Sequence, residues 1–205
     1  MKLVVALGNP GARYARTRHN VGFRVAECFC ARHDIALSRE AFGGIFGQGA
    51  LPAEGEQPAL EVAVLLPQTY MNLSGDAVLP ALDALDLEDR AQDLTVVFDD
   101  VDLPFGRLRV RARGGAGGHR GLAHIIECIG DKDFPRLRFG VGRPDGATDT
   151  KDHVLEDFDE VEERALPGHL ERAARALETT LRAGPARAMN EWNRDPAAAE
   201  GEAVE

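Results

Sequence analysis

Residues 3–30 read LVVALGNPGARYARTRHNVGFRVAECFC, and they contain a strand, a glycine-containing turn and a helix in direct succession. The first five residues form a continuous apolar run that Gly8 closes, which is typical of a buried strand. From Val21 onward, apolar residues recur at i, i+4, i+7 and i+8, the spacing of one helix face. A buried strand that leads through a turn into a helix predicts an α/β protein.

The rest of the chain continues this alternation. The patterns predict strands at residues 43–50, 60–66, 94–103, 106–113 and 135–142, and helices at residues 72–85, 122–129 and 159–192. The last helix contains Pro-Gly and Gly-Pro pairs at residues 167–168 and 184–185, which predict interruptions there. We therefore expect a single α/β domain over residues 1–192, with a mixed, mostly parallel twisted sheet surrounded by helices and an antiparallel excursion at residues 43–66. Residues 193–205 are predicted to form a disordered acidic tail.

Composition and cysteine usage favour a cytoplasmic protein. The chain has 205 residues, of which 44% are hydrophobic, and no apolar run approaches the roughly 18 residues of a membrane span. The first apolar run is also too short for a signal peptide. Three cysteines, an odd number, argue against a disulfide framework. We expect no membrane association.

Charge is unevenly distributed along the chain. The net charge is −10, but residues 107–143 hold nine Lys and Arg against three Asp and Glu, a local net charge of +6. Within this segment the sequence GRLRVRAR, residues 106–113, alternates strictly and places its arginines on one face of a strand. A basic segment in an acidic chain indicates a surface for a polyanion.

Two glycine-rich turns are candidates for nucleotide phosphate sites, but neither has the required pattern. GNPG at residues 8–11 lacks the G-x-G-x-x-G spacing, and Pro10 removes an amide donor. GGAGGHRG at residues 114–121 lacks the Lys and Ser or Thr of a P-loop. The sequence therefore argues against a dinucleotide or P-loop site.

His19 and Asp99 are the candidate catalytic pair. His19 lies in the polar turn RTRHN after the first strand, and Asp99 is the first of the acids into which the apolar strand from Leu94 runs. Ligands of open α/β sheets collect at the carboxyl ends of strands. A carboxylate that accepts from one ring nitrogen leaves the other nitrogen free to act as a base. The alternatives are an exposed loop histidine and an acid cluster that is solvated or binds a metal; His119 is a secondary candidate.

Asn9 and Asn72 also lie in loops at predicted strand ends. An amide side chain can donate to an oxyanion and accept from a water molecule. The alternative roles are a turn former before Pro10 for Asn9 and a helix N-cap for Asn72. No serine or cysteine lies in a nucleophile motif, so a hydrolase built on these residues would use water, activated by His19.

Four stretches together resemble a known family. GNPGARYARTRHNVG, PQTYMNLSG, FDDVDLPFG and GGAGGHRGL are similar, in order and spacing, to motifs of the bacterial-type peptidyl-tRNA hydrolases. The resemblance covers roughly residues 2–192. It implies a monomeric esterase that needs no metal or other cofactor and that cleaves peptidyl-tRNA released prematurely from ribosomes. The bond cut would be the ester between the peptide and the terminal ribose of the tRNA.

The same resemblance implies roles for individual residues. The catalytic histidine falls on His19 and the aspartate that orients it on Asp99, while the substrate-positioning asparagines fall on Asn9 and Asn72. The tyrosine near the RNA end of the cleft falls on Tyr14. Basic residues that meet the tRNA acceptor end fall on four positions of the basic segment: Arg109, Arg111, Arg138 and Arg143.

One position departs from the family pattern. Where the family usually has GGHNG, this chain has GGHRG, so Arg120 replaces a cleft asparagine. Arginine is always charged and cannot accept a hydrogen bond. The role of the asparagine therefore does not transfer, and Arg120 is instead a candidate contact for a substrate carbonyl or a terminal phosphate. The same departure leaves a second hypothesis open, a non-catalytic RNA-binding protein on the same fold.

Overall fold

The first strand leads directly into the first helix, as the sequence pattern predicts. A computed structural model describes residues 1–144 and 149–194. Strand β1, Lys2–Ala6, is followed by 3₁₀ turns at Ala12–Tyr14 and Arg18–Asn20 and then by helix α1, Val21–Arg32. A Cβ atom at Gly22 would lie 2.5 Å from the Leu7 carbonyl oxygen and 2.8 Å from that of Val97. Glycine at this position therefore allows α1 to begin directly against the sheet.

Seven strands form one mixed sheet, in the spatial order β2-β3-β4-β1-β5-β7-β6. The other strands are β2 Arg39–Ala41, β3 Gly44–Leu51, β4 Leu60–Pro67, β5 Leu94–Asp100, β6 Leu108–Arg111 and β7 Arg136–Gly140. The four central strands, β4, β1, β5 and β7, pair in parallel. Antiparallel pairs occur at both edges, β2–β3–β4 on one side and β6–β7 on the other. The predicted antiparallel excursion is confirmed, and so is the mixed α/β architecture.

Helices cover both faces of the sheet. The remaining helices are α2 Gly75–Ala84, α3 Arg90–Asp93, α4 Arg120–Ile129, α5 Thr150–Leu155 and α6 Glu160–Trp192, with a 3₁₀ turn at Met71–Leu73. One apolar core lies between the sheet and the helices α1 and α6, and a second lies between the sheet and the helices α2 and α4. Within the described residues, no helix is both long enough and apolar enough to cross a membrane.

Helix α6 is interrupted at one of its two predicted breaks. Gly184 leaves the helical region, with φ 79° and ψ 166°, and so kinks the helix before Pro185. At Pro167 the prediction is wrong, because Gly184 is the only non-helical residue inside α6. The helix starts with a capping box in which Asp159 and Glu162 satisfy each other's backbone N–H groups.

The packed part of the chain continues one residue beyond the predicted boundary at 192. The Asn193 side chain accepts from the Val110 backbone N–H at 2.7 Å and donates to the Val110 carbonyl at 3.1 Å. Strand β6 is the edge strand of the sheet. The two bonds therefore pair with backbone groups of β6 as a neighbouring strand would. Of the predicted tail, residues 193–205, the structure describes Asn193 and Arg194. Residues 195–205 lie outside the described residues, so their disorder stays a prediction.

Candidate active site

His19 and Asp99 meet at the carboxyl ends of β1 and β5. These strands are neighbours in the sheet, so the turn after β1 and the last residues of β5 share one edge. The His19 Nδ1 atom lies 2.8 Å from Asp99 Oδ1, and the Asp99 side chain is only 3% exposed. His19 Nε2 forms no hydrogen bond with the described part of the chain, so it is available to a substrate or water.

Residues on both sides of His19 fix its position. Arg18 is buried, donates to the Asp157 carbonyl at 2.7 Å and forms an ion pair with Glu162 at 2.7 Å. Asn20 is also buried and exchanges two hydrogen bonds with the backbone of Asn9, at 2.8 and 2.9 Å. The 3₁₀ turn that carries His19 is therefore held to α6 on one side and to the turn after β1 on the other.

The surroundings of His19 set its proton affinity. Burial opposes protonation of the ring, but the charge of Asp99 and its hydrogen bond outweigh burial and raise the pKa of His19 above its ordinary value of 6.5. The Arg120 cation acts in the opposite direction. Burial of Asp99 also opposes its charge, yet His19 and His119 hold the pKa of this carboxyl well below its usual range. Asp99 is therefore an anion at neutral pH.

His119 contacts the same oxygen of Asp99, and its ring centre lies 5.1 Å from that of His19. Its Nε2 lies 3.0 Å from Asp99 Oδ1, and its Nδ1 accepts from the Leu122 backbone N–H at 3.2 Å as the N-cap of α4. Since Nδ1 is an acceptor, the proton must be on Nε2, which donates to Asp99. Both nitrogens of His119 are thus used, and His19 is the histidine of the pair with a free nitrogen.

The two candidate asparagines lie on two turns that one hydrogen bond joins. Asn9 is buried, and its Oδ1 accepts from the Met71 N–H at 2.9 Å, which connects the turn after β1 to the turn after β4. This bond leaves the Asn9 amide group as a donor without a partner among the described residues. Asn72 follows Met71, is exposed and does not cap α2, whose N-cap is Ser74. Tyr14 is half-buried beneath the guanidinium of Arg13, 4.5 Å from its ring centre.

A cleft of about 410 Å³ opens beside the His19–Asp99 pair. Three predicted substrate-binding arginines line it: Arg120, Arg138 and Arg143. Arg138 pairs with Asp100 at 2.7 Å, and Arg143 pairs with Asp102 at 2.6 Å. Arg120 is exposed and has no ion pair with the described residues. The cleft lining does not include the other predicted binding residues, Asn9, Tyr14, Asn72, Arg109 and Arg111.

Strand β6 carries the predicted arginine face. Leu108 and Val110 are buried, whereas Arg109 is half-exposed and Arg111 is exposed. Arg109 lies opposite Arg138 in the antiparallel pair β6–β7. The edge strand therefore adds two arginines to the rim of the sheet, beside the strand that carries Arg138.

The sequence pattern does not indicate the supporting role of Asn20, and it indicates His119 only as a secondary candidate. Asn20 was not singled out, although an asparagine directly after the candidate histidine is a signal for a loop-fixing hydrogen bond. His119 remained a secondary candidate, because nothing in its local pattern shows that Asp99 lies 3.0 Å away. The first contact joins residues eleven positions apart in the chain, and the second joins residues twenty positions apart.

The described residues include two groups in which three potential metal ligands lie within 4.8 Å of one another, namely His19 with Asp99 and His119, and Asp76 with His124 and Cys128. In the first group, both nitrogens of His119 already form hydrogen bonds. In the second, His124 Nδ1 accepts from the Gly75 N–H at 3.0 Å, and burial and nearby acids raise the pKa of the Cys128 thiol. Neither donor set is poised for a metal, and the absence of a metal cofactor stays a prediction.

Comparisons with known proteins agree with these motifs. The family model described as peptidyl-tRNA hydrolase matches residues 3–200. A peptidyl-tRNA hydrolase of Syntrophotalea carbinolica is 47% identical over 193 residues, covering 94% of this chain and 97% of that protein. One of Chloroflexus aurantiacus is 46% identical over 199 residues, covering 94% and 99%. The crystal structure of the Acinetobacter baumannii peptidyl-tRNA hydrolase superposes with a TM-score of 0.83 at 34% identity, covering 94% of each chain. With the fold, the motifs and close relatives in agreement, the chain belongs to the peptidyl-tRNA hydrolase family.

Proposed function

We propose that this protein hydrolyses peptidyl-tRNA released prematurely from ribosomes, cleaving the ester between the peptide and the terminal ribose and so recycling the tRNA. The observation that carries the proposal is the state of His19. Its Nδ1 is bound to a buried carboxylate at 2.8 Å, and its Nε2 has no partner among the described residues. This arrangement suits a general base better than a ligand-binding side chain.

In the proposed mechanism, His19 Nε2 takes a proton from a water molecule, whose oxygen attacks the ester carbonyl carbon. Asp99 accepts from Nδ1–H, fixes the tautomer and stabilises the imidazolium that forms. When the tetrahedral intermediate collapses, the bond between the carbonyl carbon and the ribose oxygen breaks. His19 then returns its proton to that oxygen, and the products are the free peptide acid and the tRNA.

Asn9 and Asn72 position the substrate. The Asn9 amide is oriented by its bond with the Met71 N–H, which leaves its NH₂ group to donate to the carbonyl oxygen or the tetrahedral centre. Asn72 is the next residue after Met71 and is exposed. We assign it to contacts with the peptide or the attacking water. Both amides lie on segments that the Asn9–Met71 bond holds together.

The tRNA acceptor end binds along the arginines. Arg109, Arg111 and Arg120 form no ion pair with the described residues, so they are free to contact phosphates. For Arg138 and Arg143, a phosphate competes with the carboxylates of Asp100 and Asp102. Such contacts position a substrate without reading its sequence, which suits an enzyme that accepts many tRNAs. We assign Tyr14 to a contact near the RNA end of the cleft, as the family resemblance implies.

We also propose that the enzyme acts as a monomer in the cytoplasm without a cofactor. One chain supplies the base, the orienting acid, the amides and the arginines. Sedimentation at assay concentration tests the oligomeric state, and activity in the presence of EDTA tests for a metal requirement.

The decisive experiment is hydrolysis of N-acetyl-aminoacyl-tRNA by the wild-type protein, His19→Ala and Arg120→Asn, with free aminoacyl-tRNA as the control substrate. We expect turnover of the blocked substrate only, loss of turnover in His19→Ala and retention of tRNA binding in that variant. His33→Ala, at the far end of α1, is the matched control and should remain active. Binding of tRNA by the wild type without hydrolysis would favour the non-catalytic RNA-binding hypothesis instead.

A further inference from the structure

Arg136, at the start of β7, is a buried cation without a carboxylate partner. The residue is 2% exposed, and no acidic group of the described residues lies within ion-pair distance of it. Burial, together with the neighbouring Arg138, lowers the pKa of Arg136 to about 10, so the group is still charged at neutral pH. A buried charge is costly unless its hydrogen bonds are satisfied.

Backbone carbonyl groups from two segments satisfy the Arg136 guanidinium. It donates to the carbonyls of Lys132, at 2.7 Å, and Phe134, at 3.1 and 3.2 Å, just before its own strand. It also donates to the carbonyls of Gly114 and Gly115, more than twenty residues earlier in the chain. The Arg136 Cζ atom lies 4.5 Å from the centre of the Phe134 ring. The planar five-donor fork of arginine can reach both segments at once.

The second segment begins the glycine loop, residues 114–118, which leads to His119. Four of its five residues are glycines, and Gly114, Gly117 and Gly118 have positive φ. Such a loop has high conformational freedom and must be held at its ends to keep one shape. Arg136 holds the beginning. The end is held by His119, whose backbone N–H donates to the Ala116 carbonyl at 3.0 Å and whose ring caps α4.

We propose that Arg136 is a positioning residue for the hydrolytic site. It fixes the glycine loop, the loop places His119 against Asp99, and the His119 hydrogen bond in turn sets how strongly Asp99 acts on His19. This inference rests on the proposed function and adds a residue to it that does not contact the substrate.

The test compares Arg136→Lys, His119→Ala and the double variant by the pH dependence of N-acetyl-aminoacyl-tRNA hydrolysis. Lysine keeps the charge but cannot reach both carbonyl segments. We expect kcat to fall about tenfold to a hundredfold, as for small misplacements of catalytic groups, with KM within about twofold. Without a firm His119 bond, Asp99 acts more strongly on His19, so the midpoint of the pH profile moves upward. Because Arg136 acts through His119, the kcat of the double variant should be no lower than that of His119→Ala alone.

Arg39→Lys is the matched control. Arg39 lies on β2 at the opposite edge of the sheet, and its guanidinium also lies over an aromatic ring, 4.8 Å from the centre of Phe46. Its replacement should change neither kcat nor the pH profile. The inference would be overturned if the two losses of kcat multiplied in the double variant, or if the pH midpoint of Arg136→Lys were unchanged.

Imidazole nitrogen chemical shifts separate this inference from the proposed function. In the wild type, His119 should show an unprotonated Nδ1 and a protonated Nε2, and Arg136→Lys should move both shifts toward the average, whatever the activity. Unchanged shifts would overturn the inference, whereas an inactive wild type would overturn only the proposed function.

If Arg136→Lys does not fold, hydrogen exchange measured on the His119→Ala variant tests the inference instead. The Gly114 amide, which donates to the Lys132 carbonyl at 3.3 Å, should stay protected there, and its loss of protection would refute the role of Arg136.

Discussion

Replacing Asp99 with asparagine should both slow the reaction and move its pH dependence. The variant keeps the size of the side chain but removes the charge that lies 2.8 Å from His19 Nδ1. It also offers an NH₂ group, which favours the wrong tautomer of His19, with the proton on Nε2. The base would then have no free lone pair where the water is expected.

The size of the fall in kcat follows from the contact between His19 and Asp99. Two opposite charges about 4 Å apart attract each other by about 4 kcal/mol at an effective dielectric constant near 20. The imidazolium that forms in the transition state loses this stabilisation in Asp99→Asn. Since about 1.4 kcal/mol corresponds to a factor of ten in rate, kcat should fall about a thousandfold.

The direction of the pH shift follows from the same balance. In the wild type the pKa of His19 is raised, so activity should increase with pH through a midpoint above 6.5, where the ring loses its proton. Without Asp99, burial and Arg120 remain, and both lower the pKa of His19. The residual activity of Asp99→Asn should therefore reach its plateau at lower pH than that of the wild type.

The assay is single-turnover hydrolysis of N-acetyl-aminoacyl-tRNA between pH 5 and 9, with thermal unfolding to verify the fold. Asp102→Asn is the matched control, because Asp102 lies at the same strand end but pairs with Arg143 and does not contact His19. Its pH midpoint should equal that of the wild type. A loss of less than tenfold in Asp99→Asn, or an unchanged midpoint, would refute the assignment of Asp99 as the orienting acid.

Three further predictions concern charge and packing. Arg120→Asn should move the pH midpoint upward in the same assay, because Arg120 lowers the pKa of His19; a downward shift would contradict this. Arg109→Gln should weaken tRNA binding, measured by filter binding against salt, and reduce the slope of log K against log salt by about one; an unchanged slope would exclude a phosphate contact. Gly22→Ala should cost about 2 kcal/mol or more in urea unfolding, because its Cβ would lie 2.5 Å from a backbone oxygen. Gly168→Ala, a helical control with nothing within 4 Å of the added carbon, should be neutral or stabilising, and equal losses in the two would disprove the packing explanation.

The sequence predicts the existence and type of the long elements well, because these depend on local periodicity. Strand ends are predicted less well, since the strands predicted at residues 94–103, 106–113 and 135–142 are three or four residues shorter in the structure. The buried runs of β1 and β5 locate His19 and Asp99 at the same edge of the sheet, and their contact follows from the pairing of these strands. Short elements have too few residues to show a period, which is why the three-residue strand β2 and the four-residue helix α3 were not predicted.

Contacts between distant segments explain what the sequence could not provide. Arg136 and Arg138 alternate with apolar residues in β7 and look alike in the sequence, yet Arg136 is buried against loop carbonyls and Arg138 pairs with Asp100. The local charge of +6 therefore overstates the charge that is free to meet RNA. Which arginine serves which purpose depends on partners more than twenty residues away.

The bonds between Asn193 and Val110 make the C-terminal end of α6 a neighbour of the strand that carries Arg109 and Arg111. An edge strand with open N–H and C=O groups is a template for pairing with another chain. A side-chain amide closes one such pair of groups here. Removal of that amide would leave the Val110 N–H and C=O groups open to pairing with another chain, on the strand that carries Arg109 and Arg111, without altering any charge.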